Sequence, residues 1–313
     1  MSPPSSAAPE PAVDLQGSAP AAVAPTRPLY WSVRRELWEN RSIYIAPLAV
    51  AGLVLFASLI GTTALPGKMR SLPSLDPAQQ HAVLVRPFSM APAPIMLATF
   101  IVGLFYALDA LYGERRDRSI LFWKSLPVSD LTTVLSKLSI PLVVLPLIAF
   151  LLSAAAQIIM LFVGSAVLLA GGISPSRWWA EIRLFEGLPI MVYGLTVHAL
   201  WFAPIYGWLL LISAWARRAT FLWAVLPLLG VSAVERILFN TRYFVSMLKY
   251  RVTGAMTEAF AFKPKSGAEG DIERLTQLDP ARFLSSPGLW IGLAAAALFV
   301  AIVVRLRRRG EPL

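Results

Sequence analysis

Two histidines, His81 and His198, and no cysteine are available for metal binding or thiol chemistry in this chain of 313 residues. Disulfides and cysteine-ligated metals are therefore excluded. A histidine-rich metal site is not expected, because structural and catalytic centres draw three or four ligands from Cys, His and carboxylates. Nucleophilic catalysis finds no better footing. There is no G-x-S-x-G elbow and no H-E-x-x-H pair. There is also no G-x-x-x-x-G-K-[ST] loop, whose backbone N–H groups would cradle ATP phosphates. His198 falls within a long apolar run, and Glu235 lies near the end of another. Each is isolated, whereas an enzyme acting inside a membrane needs ionisable groups that converge. The chain is read as carrying no enzymatic site, no metal and no cofactor of its own.

The elements that would position these residues are membrane spans. The composition is 57% hydrophobic and 15% charged, against about 25% charged in soluble domains. A span needs about 20 apolar residues to cover ~30 Å of hydrocarbon. Runs of that kind predict six spans, at about 43–65, 92–112, 139–170, 188–214, 220–239 and 287–304. The expected fold is an all-α integral membrane protein occupying residues 28–313. Residues 1–27 are rich in Pro, Ala and Ser and are expected to form a disordered tail. The next stretch, "RPLYWSVRRELWENRS", spaces Tyr30, Val33 and Leu37 helically and adds Trp31, Trp38 and several arginines. That pattern predicts an amphipathic interfacial helix.

Lysine and arginine bias sets the orientation. With both termini inside, fifteen basic residues lie on the inner side and thirteen on the outer, eight of these in the long loop between Arg236 and Arg282. The basic clusters that abut span ends all fall on the inner side. The formal charge of +10 is read as loop retention and contact with anionic lipid headgroups, not as nucleic-acid binding. Glu235 follows sixteen uncharged residues after Arg218, about 24 Å of helix, which puts it near the outer boundary. "GAEGD" within residues 240–286 reads as a turn, and Asp271 could start a short helix.

Between spans two and three lies "GERRDRSILFWKSLPVSD". Glu114 to Ser125 reads as a helix, with Ile120, Leu121, Phe122 and Trp123 as its apolar part. Pro127 cannot continue it, having no N–H to donate. Ser129 can cap the next helix through its hydroxyl. Four bulky apolar residues in a surface segment need lipid or protein to cover them.

The stretch "YALDALYGERRDRSILFWKSLPVSDLTTVLSK", residues 106–137, resembles the signature of type-2 ABC transporter permeases, membrane subunits of bacterial ABC exporters. "ALWFAPIYGWLLLISAWARRATFLWAVLP" and "LSSPGLWIGL" are similar to later spans of the same family. The resemblance implies a cytoplasmic coupling helix between spans two and three. It implies two copies of a separate ATPase subunit that bind ATP and Mg, and a second permease copy or paralogue. The site would be the bacterial inner membrane, multi-pass, with both termini cytoplasmic. ATPase docking is then expected at Glu114, Arg115, Arg116, Asp117, Arg118, Phe122 and Trp123, with Pro127 and Ser129 forming the corner. His198, Trp201, Tyr206 and Glu235 are the candidates to line a conduit. An intramembrane enzyme, or a non-transporting scaffold or sensor subunit, is the alternative.

Overall fold

The computed structural model describes residues 27–117, 128–182, 184–261 and 275–309. Their regular structure is helical, apart from one antiparallel bridge between Phe260 and Leu278. Six helices are long and apolar enough to cross a membrane. Inside hydrocarbon a helix satisfies its own backbone hydrogen bonds, so apolar runs of this length fold as helices.

Helix α1 (Pro28–Glu39) starts on a proline, which is suited to a first turn that has no use for the N–H. Asn40 ends α1, and α2 (Ser42–Thr62) is the first span. Short helices α3 (Leu65–Ser71) and α4 (Pro77–Ser89) follow. Asp76 caps α4 by accepting from the Gln79 N–H at 2.8 Å. Helix α5 (Pro92–Asp109) is the second span, and α6 (Tyr112–Arg116) adds one turn beyond it.

Helix α7 (Asp130–Ser139) is capped by Ser129, whose hydroxyl accepts from the Thr132 N–H at 3.1 Å. A π turn, Ile140–Val144, joins α7 to α8 (Leu145–Ala170) in the third span. Its cause is local. Pro141 has no N–H for the carbonyl of Lys137, which takes the Ile140 N–H instead. The register then recovers through a Leu145 N–H bond to the Ile140 carbonyl.

Helix α9 (Ser176–Glu181) precedes α10 (Leu184–Trp215), the fourth span. Helix α11 (Thr220–Phe239) is the fifth. Two left-handed residues, Ala219 and Asn240, bracket it. Helix α12 (Tyr243–Ala259) and the short α13 (Pro280–Ser285) lead to α14 (Pro287–Arg309), the sixth span. Each of the six helices overlaps one of the expected runs; α2 and α5 stop three residues short of theirs, whereas α10 starts four residues earlier and α14 ends five residues later. Such ends need only end in water, not in hydrocarbon. The 17-residue α12 lies where only a loop was expected.

Helix α10 is the hub and packs along α14, α5, α8 and α12. Near the α1 end of the bundle, the core comprises Leu108, Leu111, Val134, Leu138, Leu210 and Val303, among others. At the opposite end, Leu65, Leu84, Phe88 and Trp178 close α3, α4 and α9 over α8. Helix α11 buries only Ala224, and its remaining apolar surface faces outward.

Candidate functional site: a buried charge cluster

Charged residues placed on apolar stripes meet at the α1 end. Lys137 stands three residues after Val134 and three before Ile140, both fully buried, and is itself 2% exposed. Its ammonium donates to Glu36 Oε1 at 2.9 Å and lies 3.0 Å from Glu114 Oε1. Arg35 bridges the same two carboxylates, at 2.6 Å to Glu36 and 3.2 Å to Glu114. Arg307, near the end of α14, reaches Glu114 Oε2 at 3.0 Å and Asp130 Oδ1 at 3.3 Å. The Tyr106 hydroxyl of α5 donates to Glu36 Oε2 at 2.7 Å. Among the described residues, three cations thus face three carboxylates, with Glu39 at the rim 3.7 Å from Arg35.

Burial alone would push the Glu36 carboxyl up. Lys137, Arg35 and the Tyr106 hydroxyl more than reverse this and hold it below the ordinary glutamate range. The cluster joins α1, α5, α6, α7 and α14 at one point. Desolvating so many charges is costly, and their mutual attraction and hydrogen bonds must offset that cost. Removing one member strands another, so the five elements are coupled in position. The π turn begins three residues after Lys137, where the joint meets the third span.

The candidate docking residues divide in two directions. Glu114, expected on a surface, is buried in the cluster. Arg115 also points inward and donates to the carbonyls of Ser213 at 2.5 Å and Ala216 at 2.8 Å, closing the end of α10. Arg116 and Asp117 are exposed and pair with each other at 3.0 Å. Of the helix expected from Glu114 to Ser125, the described part is α6, which starts at Tyr112 and reaches Arg116, with Asp117 in a turn; residues 118–125 lie outside the described residues. An aspartate at a helix C-terminus opposes the helix dipole, and its side chain competes for local hydrogen bonds. Arg118, Phe122, Trp123 and Pro127 lie outside the described residues. So do Asp271 and the tail up to residue 26.

The conduit candidates separate into three places. His198 stacks on Phe202 at 4.6 Å, meets Phe100 edge-on at 5.6 Å, and shares a 3.2 Å hydrogen bond with the Tyr206 hydroxyl. Tyr206 is almost completely buried and packs in the core. Trp201, between His198 and Tyr206 in sequence, is fully buried and packs instead beside Tyr250 and Phe283. Its indole N–H donates to the Arg251 carbonyl at 2.7 Å, and the Arg251 guanidinium sits 4.6 Å from its ring centroid. Arg251 in turn donates to the carbonyls of Trp201 at 3.2 Å and Gly288 at 2.6 Å. Helices α10, α12 and α14 are thereby tied together through one side chain. A Cβ at Gly292 would collide with that guanidinium, and one at Gly288 would lie 2.8 Å from the Tyr250 ring.

Glu235 does not approach His198. Its carboxylate accepts from the Thr241 hydroxyl at 2.7 Å and from the N–H groups of Tyr243 and Phe244 at 2.6 and 2.9 Å. It caps α12 from the preceding helix, a role that a place in a conduit does not anticipate.

Glu36, Lys137, Tyr106, Asp130, Arg307 and Arg251 were not singled out from the sequence as site residues. One signal was available for Lys137, Glu114 and Arg307. Each occupies the apolar stripe of its helix, with a buried residue three positions before it: Val134, Leu111 and Val304. A charge on such a stripe needs a partner. No family model, no curated protein and no solved structure matches this chain, so its role is argued from this geometry.

Proposed function

We propose that this chain is the membrane-spanning subunit of an ATP-driven ABC exporter, working with a separate ATPase subunit that binds ATP and Mg. The observation that carries the reading is the position of Glu114. It opens the segment between the second and third spans and is ion-paired to Arg35 and Arg307, on helices near the two ends of the chain, and to Lys137. A push on that segment is thus delivered to α1, α7 and α14 together. Such a joint suits a two-state element driven by a docked partner. Arg116 and Asp117, exposed beside the joint, are the charges available to that partner. Arg118, Phe122 and Trp123 would complete the surface.

In this reading both termini and the charge cluster face the cytoplasm of a bacterial inner membrane. Helix α1 lies at the membrane boundary. The His198, Phe202 and Tyr206 group lies deeper along α10, where it would meet an apolar or amphipathic cargo. Helices α2 and α11 offer apolar faces to lipid or to a second permease copy.

The test is whether a separate ATPase co-purifies with the chain from its host, with ATP hydrolysis then measured in reconstituted vesicles. Charge reversal of Arg116 and Asp117 together (R116D/D117R) should lower hydrolysis that depends on this chain, while insertion and thermal stability stay unchanged. Absence of any ATPase partner, or unchanged coupled hydrolysis in the double reversal, would remove the reading. Cargo movement in the same vesicles separates a transporter from a scaffold or sensor subunit.

A further inference from the structure

Helix α1 has two faces with different chemistry. Its inward face carries Val33, Glu36 and Leu37 into the bundle. Its outward face carries Trp31, Arg34 and Trp38, spaced by three and four residues and so aligned on one stripe. Arg34 lies between the two indoles, 5.2 Å from the Trp31 ring and 4.6 Å from the Trp38 ring. The tryptophans are 56% and 65% exposed, which a water-facing helix would not tolerate without cost. Among the described residues no carboxylate pairs with Arg34, although its neighbour Arg35 has several. Arg27 and Arg41 stand seven residues to either side, both exposed. The order Arg27, Trp31, Arg34, Trp38, Arg41 alternates cation and indole at heptad spacing.

We propose that this stripe binds the anionic headgroups of the bilayer that the chain spans. Only Asn40 and Arg41 separate α1 from the first span, so α1 cannot stand far from the headgroup layer. Tryptophan favours that layer, where its apolar ring and its N–H are both satisfied. An arginine held between two rings is already ordered and partly desolvated, with its N–H edges left to bind phosphate oxygens in pairs. The chemistry on this face is cationic without local carboxylates, which selects anionic over zwitterionic lipid. The opposite face of the same helix supplies Glu36 to the charge cluster. Lipid capture would therefore fix the helix on which the cluster is built. The proposal rests on the membrane-spanning architecture and not on the ATPase reading, so either can fail alone.

The test uses the full chain in nanodiscs doped with phosphatidylglycerol or phosphatidylcholine, each brominated at shallow acyl positions. The quenching due to the stripe is the wild-type signal minus that of W31F/W38F. We expect that signal to reach half its maximum at about fivefold less brominated phosphatidylglycerol than phosphatidylcholine. This follows from ~1 kcal/mol per basic residue near an anionic surface. R34Q, which removes a surface charge outside the ion-pair cluster, should retain quenching by both lipids and lose the preference. High salt should shrink the wild-type preference. No stripe-dependent quenching with either lipid, equal quenching by the two, or a preference undiminished in R34Q would each overturn the proposal. A thermal melt of R34Q matching wild type excludes loss of fold as the cause.

Discussion

Replacing Lys137 by methionine tests the charge cluster most directly. Methionine keeps most of the volume and removes the ammonium. The change takes away contacts at 2.9 Å to Glu36 and 3.0 Å to Glu114, in a site where the lysine is 2% exposed. Arg35 and Arg307 remain, but each already serves a carboxylate at short range. Three described carboxylates would then share two described cations. Breaking a buried pair by deleting one partner costs roughly 3–5 kcal/mol. At about 2–4 °C per kcal/mol for a chain of this general size, the melting temperature in nanodiscs should fall by roughly 6–20 °C. The pairwise part is isolated by a cycle with Glu36→Gln. If Lys137 and Glu36 act as one unit, the double variant should be less destabilised than the sum of the singles by at least ~1 kcal/mol. A melting temperature for K137M within about 1 °C of wild type, or simple additivity in the cycle, would refute the cluster as the joint between these helices.

Four further outcomes are expected. Because Glu36 is held below the ordinary glutamate range, the unfolded state takes up its proton first as pH falls. The stability it contributes is present above about pH 4.3 and is lost as pH drops through the lower folded value. Glu36→Gln should flatten that acid limb in melts taken across pH 3–6. Gly292→Ala should destabilise by about 1–3 kcal/mol through collision with Arg251, and a combined G292A/R251A variant should recover part of the loss. Glu235→Gln should weaken the cap on α12, read as faster hydrogen exchange in residues 243–247. If Glu235 only caps, coupled hydrolysis should persist in that variant, whereas selective loss of transport with an intact α12 would return it to the conduit. Ser129→Ala should cost about 1 kcal/mol by removing the cap on α7, seen in the same exchange measurement at Thr132 and Thr133.

The spans were legible because a hydrocarbon layer sets a minimum length, and charge-free runs of that length are hard to produce otherwise. Ser129 was legible because capping is a local event, decided by a hydroxyl and a backbone N–H three residues apart. Glu114 was singled out, but its direction was not. The sequence around it shows arginines and an aspartate, and nothing within twenty residues says that Arg35 and Arg307 will arrive from the two ends of the chain. Lys137 carried a readable hint in its place between Val134 and Ile140, yet a stripe can only announce that a partner is needed. Helix α12 escaped because "YFVSMLKYRVTGAMTEA" mixes lysine, arginine and glutamate with apolar residues, so neither length nor polarity separates it from a loop. The cap that starts it, Glu235, lies outside the helix altogether.

Arg307 lies 193 residues downstream of its partner Glu114. At the ~5–20 residues per second of protein synthesis, that interval lasts about 10–40 s. During it the nascent bundle holds Glu36, Glu114 and Asp130 against only Arg35 and Lys137. Among the described residues, one carboxylate is in excess until the last helix emerges. The joint is therefore completed only by the last helix of the chain. Without its final turn, the described part of the cluster has Glu114 and Asp130 without Arg307, while α1 stays paired to Glu114 and Lys137.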